Sequence, residues 1–176
     1  MPLSLSPALG LFAFWTPNHR QTVNPSARLV RAFLILDLDM PQFSERSKQR
    51  LATCHADLQV LMAEVVKDFD CTIITGHRDR VTQNRMVEQG KSQVRWPNSR
   101  HNSEPSEAVD VAPYPINWQD RERFHYFAGF VMGTAARLKA EGRMTHGLRW
   151  GGDWDRDTQV DDNNFDDLVH YEILTN

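Results

Sequence analysis

The closing run LVHYEIL, residues 168–174, constrains the fold more than any other stretch of the chain. Its alternation sets Val169, Tyr171 and Ile173 on one face of a strand, with His170 and Glu172 on the other. One face must then lie on an apolar core while the opposite face offers an imidazole and a carboxylate. Such a strand needs sheet neighbours and a cover, and two amphipathic helices are available as the cover. Ser44 caps SERSKQRLATCHADLQVLMAEVVKDF, where Leu51, Cys54, Leu58, Leu61, Val65 and Phe69 recur at spacings of three and four. HAD at 55–57 is the point where that helix can divide in two. Asn117, with Asp120 three residues on, caps a second long helix. Phe124, Phe127, Ala128, Val131, Ala135 and Leu138 share one of its faces until Gly142.

Further short strands are expected at CTIIT (71–75), AVDVAP (108–113) and GLRWGG (147–152), with a short polar helix between Gly76 and Gly90. No βαβ rhythm connects them. The expected class is therefore α+β: a small, mainly antiparallel sheet packed by two long helices.

A chain of 176 residues suits one domain with an appendage. Residues 1–39 hold LGLFAFW and LVRAFLILDLD without usable periodicity, whereas Met40 opens the regular part with MPQFSERSKQRL. The expectation is an extension outside the core at 1–39 and one domain at 40–176. No basic residue precedes the first apolar run and no small-residue cleavage site follows it, so no secretory signal is expected. No apolar stretch reaches the roughly 18 residues of a membrane span. Synthesis in the cytoplasm, without membrane insertion and as a monomer, is the expectation.

The net charge of -3 gives no case for a nucleic-acid partner. Charge is unevenly spread, however. Arg78, Arg80, Arg85, Lys91, Arg95 and Arg100 load the middle, and Asp153, Asp155, Asp157, Asp161, Asp162, Asp166 and Asp167 load the end. A split of this kind can set the two signs on opposite walls of one cleft. Cys54 and Cys71 make neither a disulfide framework nor a CxxC motif, and both read as buried thiols of a reducing compartment.

The chemistry centres on SRHNSEPSEAVDV, residues 99–111. His101 and Asp110 there are either an ordinary hydrogen-bonded pair or two ligands of a metal whose third ligand lies elsewhere. A catalytic zinc site takes three protein ligands of nitrogen or oxygen type and leaves a position for water. His170, opposite an apolar face, is the best third candidate, although a lone strand histidine is more often structural. Asp167, three residues before it in DDLVH, changes the balance. A carboxylate beside an activated water acts as general base, whereas Asp166 reads as a solvated charge.

SxH, then AVD, then DxxHxE far downstream resembles the family of zinc D-Ala-D-Ala carboxypeptidases and L-alanyl-D-glutamate peptidases. The residues that carry the likeness are Ser99, His101, Ala108, Asp110, Asp167, His170 and Glu172. TGHRDRVTQ resembles the family's strand-then-arginine element, with Arg78 and Gln83 at matching positions, and RWGGDWD is similar to phage-type members. The likeness runs from about Met40 to Ile173. It implies a fold related to the hedgehog signalling domain and a zinc ion (Zn2+) on His101, Asp110 and His170. It also implies Asp167 as the water-activating base, Arg78 facing the scissile carbonyl, and Ser99 and Gln83 binding substrate.

The implied substrate is the peptide stem of bacterial peptidoglycan, cut at L-Ala-D-Glu as by a phage or prophage endolysin. The alternatives are a D-Ala-D-Ala carboxypeptidase or dipeptidase, or a non-catalytic wall-binding module with structural zinc. Two positions depart from the pattern. SEPSE lengthens the His-to-Asp interval and lacks its glycine, and Asp167 stands where carboxypeptidase relatives carry Glu, the endopeptidase-like choice.

Asp153, Asp155 and Asp157 begin like a calcium loop, but Thr158 replaces the glycine of position six and Asn164 the glutamate of position twelve. A solvated loop, or an Asp153 that touches substrate, is favoured there. His125 reads as structural and His77 as a possible substrate contact. Trp118, Trp150 and Trp154 read as core or cleft lining.

Overall fold

The structure is a computed structural model that describes residues 41–175, so the expected extension at 1–39 lies outside the described residues. Ser44 caps the first helix as expected, its side chain accepting from the Ser47 amide. The long periodic segment is two helices, α1 (Glu45–Leu51) and α2 (Ala56–Asp68). The break falls where Ser106 intrudes: the His55 amide donates to its carbonyl at 2.8 Å, and its own amide donates to the Thr53 carbonyl at 2.9 Å. Those two bonds replace helical ones. The His55 ring caps α2 by accepting from the Asp57 amide at 3.1 Å.

Strand β1 (Cys71–Thr75) follows, then α3 (Arg80–Glu88), a 3-10 turn (Arg100–Asn102) and β2 (Ala108–Pro113). The second long helix, α4 (Arg121–Ala140), leads to β3 (Gly147–Gly151) and β4 (Asp167–Leu174). Its cap is Asp120, which accepts from the Arg123 amide, rather than Asn117, which serves a turn by accepting from the Gln119 amide. Both residue types cap helices well, and the start lies three residues later than the spacing suggests.

The sheet is antiparallel throughout, in the order β1-β2-β4-β3. Ile73, Val109, Val111, Tyr171 and Ile173 point from it into one core with Leu58, Leu61 and Val65 of α2 and Phe127, Val131 and Leu138 of α4. The opposite alternation leaves Asp110, His170 and Glu172 on the other face. That face carries the site. Among the described residues no helix is long and apolar enough to cross a membrane.

Asp57 ties α2 to the segment before β3. Its Oδ2 accepts from the Thr145 amide (3.0 Å), the His146 amide (2.8 Å) and the His146 ring (2.9 Å). Burial pushes its pKa up, but these hydrogen bonds outweigh burial and hold it below the usual carboxylate value. Its contribution is thus present above the unfolded pKa of about 4 and is lost as pH falls through the lower folded value. Asp57→Ala should cost about 1–3 kcal/mol in urea unfolding at pH 7, since it removes a buried acceptor shared by three part-buried N–H donors, and the deficit should shrink towards pH 3.

Candidate active site

His101 rides on the 3-10 turn, which Ser99 and Asn102 close as a capping box. The turn is laced to the chain leaving β1. The Arg78 amide donates to the His101 carbonyl at 2.8 Å, and Asn102 Nδ2 donates to the Arg78 carbonyl at 2.9 Å. Asp110 and His170 sit directly opposite one another on β2 and β4. The fold thereby brings His170 to two side chains that lie 60 and 69 residues before it: His101 Nε2 lies 3.1 Å from Asp110 Oδ1 and 3.1 Å from His170 Nδ1, which is 3.2 Å from Asp110 Oδ1. All three side chains are buried.

The outer nitrogens decide what this triangle is. His101 Nδ1 donates to the Gly76 carbonyl at 2.7 Å, and His170 Nε2 donates to Glu172 Oε2 at 3.0 Å. Each ring therefore turns its other nitrogen inward, towards a carboxylate oxygen. Three electron-rich atoms this close, shielded from water, require a cation between them. Ligands about 2.0–2.1 Å from a tetrahedral zinc stand about 3.3 Å apart, close to the spacing seen here. The donor set and its outer partners fit such an ion.

The electrostatics agree. Burial drives the His101 pKa down. For Asp110 burial acts upward, but the facing His101, His170 and Arg78 hold it well below the usual carboxylate range. Burial acts downward on His170, yet its bonds to Asp110 and Glu172 raise it to about 9. A proton there is the smallest cation that meets the demand, and a metal competes with it.

Glu172 is held in turn by Arg149 of β3, directly across the strand pair, whose Nη2 and Nε donate to Oε1 at 2.5 and 3.1 Å. Glu172→Gln should lower zinc affinity about 10–100-fold, read by competition with a chelating dye, because the outer partner of His170 loses its charge.

Arg78 pairs with the second oxygen of Asp110, not with Asp79, which caps α3. Its Nε is buried and has no hydrogen-bond partner among the described residues. Asp167 lines the same cleft, and burial first, then the charge of Asp110, pushes its pKa up to about 6. Asp166, expected to be a solvated charge, pairs with Arg121.

The cleft encloses about 580 Å³. Lys91 and Arg100 line it from the segment before β2, and Asp155 and Asp162 from the β3–β4 loop, so the uneven charge of the sequence does face itself across one cleft. Trp154 lines it as well, with Arg149 stacked 5.3 Å from its ring centroid, while Trp150 belongs to the core.

Ser99 lines the cleft, its hydroxyl accepting from the His101 amide at 3.3 Å. Gln83 lies behind the wall, fully buried, with Nε2 donating to the Val94 carbonyl (2.5 Å) and Ser92 Oγ (2.9 Å). The outer partners Gly76 and Arg149 escaped the sequence reading.

Among the described residues, two other ligand-type clusters form. His55, Asp57 and His146 converge, as do Asp153, Asp155 and Asp157. In the first, the Asp57 oxygen is already taken by three N–H donors. In the second, Asp153 accepts from the amides of Asp157 and Thr158 in an exposed loop. Neither turns converging lone pairs into a buried space, as the central triangle does.

The solved structure of Serratia marcescens L-Ala D-Glu endopeptidase ChiX has the same fold, with a TM-score of 0.59 and 24% identity over 78% of this chain and 93% of that one. No curated protein matches the sequence. The family described as phage L-alanyl-D-glutamate peptidase matches residues 40–174, spanning every element described above and all of the site. The chain belongs to that family.

Proposed function

We propose that this protein is a zinc-dependent endopeptidase that hydrolyses the L-Ala-D-Glu bond in peptidoglycan stems, acting on the cell wall as a phage or prophage endolysin. The observation that carries the zinc dependence is the triangle of inward-facing donors on His101, Asp110 and His170, each imidazole fixed from behind. Family membership supports the substrate. When bound, zinc supplies Lewis-acid chemistry, polarising the scissile carbonyl and making a water acidic enough to ionise near neutral pH.

The remaining work falls to the chain. Asp167, with its pKa raised to about 6, accepts the proton of the attacking water and returns it to the departing amine. Arg78, buried and anchored through Asp110, turns its unbonded Nε–H to the developing oxyanion. Ser99 offers its hydroxyl from the cleft wall. Gln83 supports binding from behind by fixing residues 92–94.

Mass spectrometry of muropeptides digested by the zinc-loaded protein tests this. New N-terminal D-Glu with intact D-Ala-D-Ala ends is expected. Loss of terminal D-Ala alone would make it a carboxypeptidase or dipeptidase, and tight wall binding without cleavage would make it a binding module.

A further inference from the structure

We propose that Trp150 and Gly151 are positioning residues for the reaction: they hold a bulge in β4 that carries Asp167 round to the same side of the strand as His170. The proposal rests on Asp167 being the proton-transferring group.

In an uninterrupted strand, residues three apart point to opposite faces. Asp167 and His170 are three apart, yet both line the cleft, while Leu168 between them packs on the core. The strand register explains the reversal. Trp150 pairs with Tyr171, but the next residue of β3, Gly151, pairs with Asp167. Leu168, Val169 and His170 lie between those pairs with no counterpart on β3, although His170 keeps its pairing with Asp110 on β2. The extra residues turn the chain over once, so the carboxylate and the imidazole meet on one side.

A bulge of this size leaves backbone groups to be satisfied and a chain free to shift, and two devices fasten it. The indole Nε1 of Trp150, buried beneath it, donates to the Leu168 carbonyl at 3.0 Å, inside the bulge. Gly151 lets the β3 backbone abut Asp167. A β-carbon at that position would run into the Asp167 carbonyl oxygen, and would lie 3.1 Å from Asp167 Cβ and 3.0 Å from the Trp154 ring. Neither residue supplies a donor atom to the triangle. Both act through where the short Asp167 side chain ends, and an aspartate has little reach to correct a displaced backbone.

The test is a set of kinetic variants on a soluble L-Ala-D-Glu-containing stem peptide, with zinc content measured on each. Gly151→Ala should lower kcat about 100-fold with KM and bound zinc near wild type, because misplacement on the scale of 1 Å costs about that much. Trp150→Phe keeps the ring and loses the N–H, and should lower kcat about 10-fold, as expected for one hydrogen bond.

The decisive variant is Asp167→Glu, which should lower kcat in the wild-type background but raise it about 10-fold in the Gly151→Ala background, where the longer side chain recovers the lost reach. A merely structural glycine would not reverse the sign of that substitution. Wild-type kcat in Gly151→Ala, zinc lost in step with kcat, or Asp167→Glu harmful in both backgrounds would overturn the proposal. Full activity in Asp167→Asn would instead remove the proton-transfer role itself.

Discussion

Asp167→Asn should lose about 10³-fold in kcat while the metal-free protein becomes more stable at pH 7.5. The loss follows from chemistry: an amide cannot accept the proton of the attacking water, and a positioned general base contributes about 10²–10⁴-fold. Zinc content should be unchanged, because Asp167 lies outside the donor triangle. The gain in stability follows from where the carboxylate is kept. Burial and the neighbouring Asp110 raise its pKa to about 6, against about 3.9 in the unfolded chain.

A raised acid is a cost to the fold, absent below about pH 4 and complete above about pH 6. The shift corresponds to at most about 3 kcal/mol, and partial exposure brings the expected gain to about 1–2 kcal/mol. Thermal melts in chelator should show Asp167→Asn above wild type at pH 7.5 and level with it at pH 4. Equal melting at both values would mean that Asp167 is not under this strain, and undiminished turnover would mean that it is not the base.

Asp110→Ala is expected to do the most damage overall. It removes one ligand-type oxygen and also leaves Arg78, buried in the cleft floor, without its ion-pair partner. Breaking a buried pair on one side costs about 3–5 kcal/mol, because the stranded charge stays desolvated. Urea unfolding in chelator should register that loss at pH 7. Since the folded pKa of Asp110 is held well below the usual range, its contribution exists above the unfolded value near 4 and disappears as pH falls through the folded one, so the deficit should narrow in acid. Turnover should fall to background, and zinc affinity by more than the 10–100-fold expected for an outer partner such as Glu172. Asp110→Asn keeps the shape and an inward oxygen, and should be milder on stability than on catalysis.

How much of this was legible depends on the range of the interaction. The alternation in LVHYEIL is local, and it correctly put Tyr171 and Ile173 in the core and His170 and Glu172 on the other face. The helical stripes were equally local, down to the break near His55. The bulge was not legible, because the alternation of Val169, Tyr171 and Ile173 continues evenly, and only the pairing with β3 reveals that Leu168 rather than Val169 packs on the core. Arg149 and the Gly76 carbonyl were hidden for the same reason: each meets its partner across the fold, at positions no spacing encodes. Gln83 carried a family likeness to a substrate contact, but its spatial neighbours Ser92 and Val94 lie in an irregular stretch without periodicity, so its burial behind the wall came only with the structure. The start of α4 slipped because Asn117 and Asp120 are both good caps and the local sequence does not rank them.

The central claim is that His101, Asp110 and His170 turn three donors towards one cation. X-ray absorption at the zinc edge, on protein loaded with one equivalent of zinc, tests it most directly. The account predicts only nitrogen and oxygen neighbours at about 2.0–2.1 Å, with the scattering pattern of two imidazoles. Sulfur at about 2.3 Å would contradict it, because the only thiols, Cys54 and Cys71, are buried with pKa values pushed up to about 12 and have no place in the triangle. A spectrum with fewer than two imidazoles would contradict it equally.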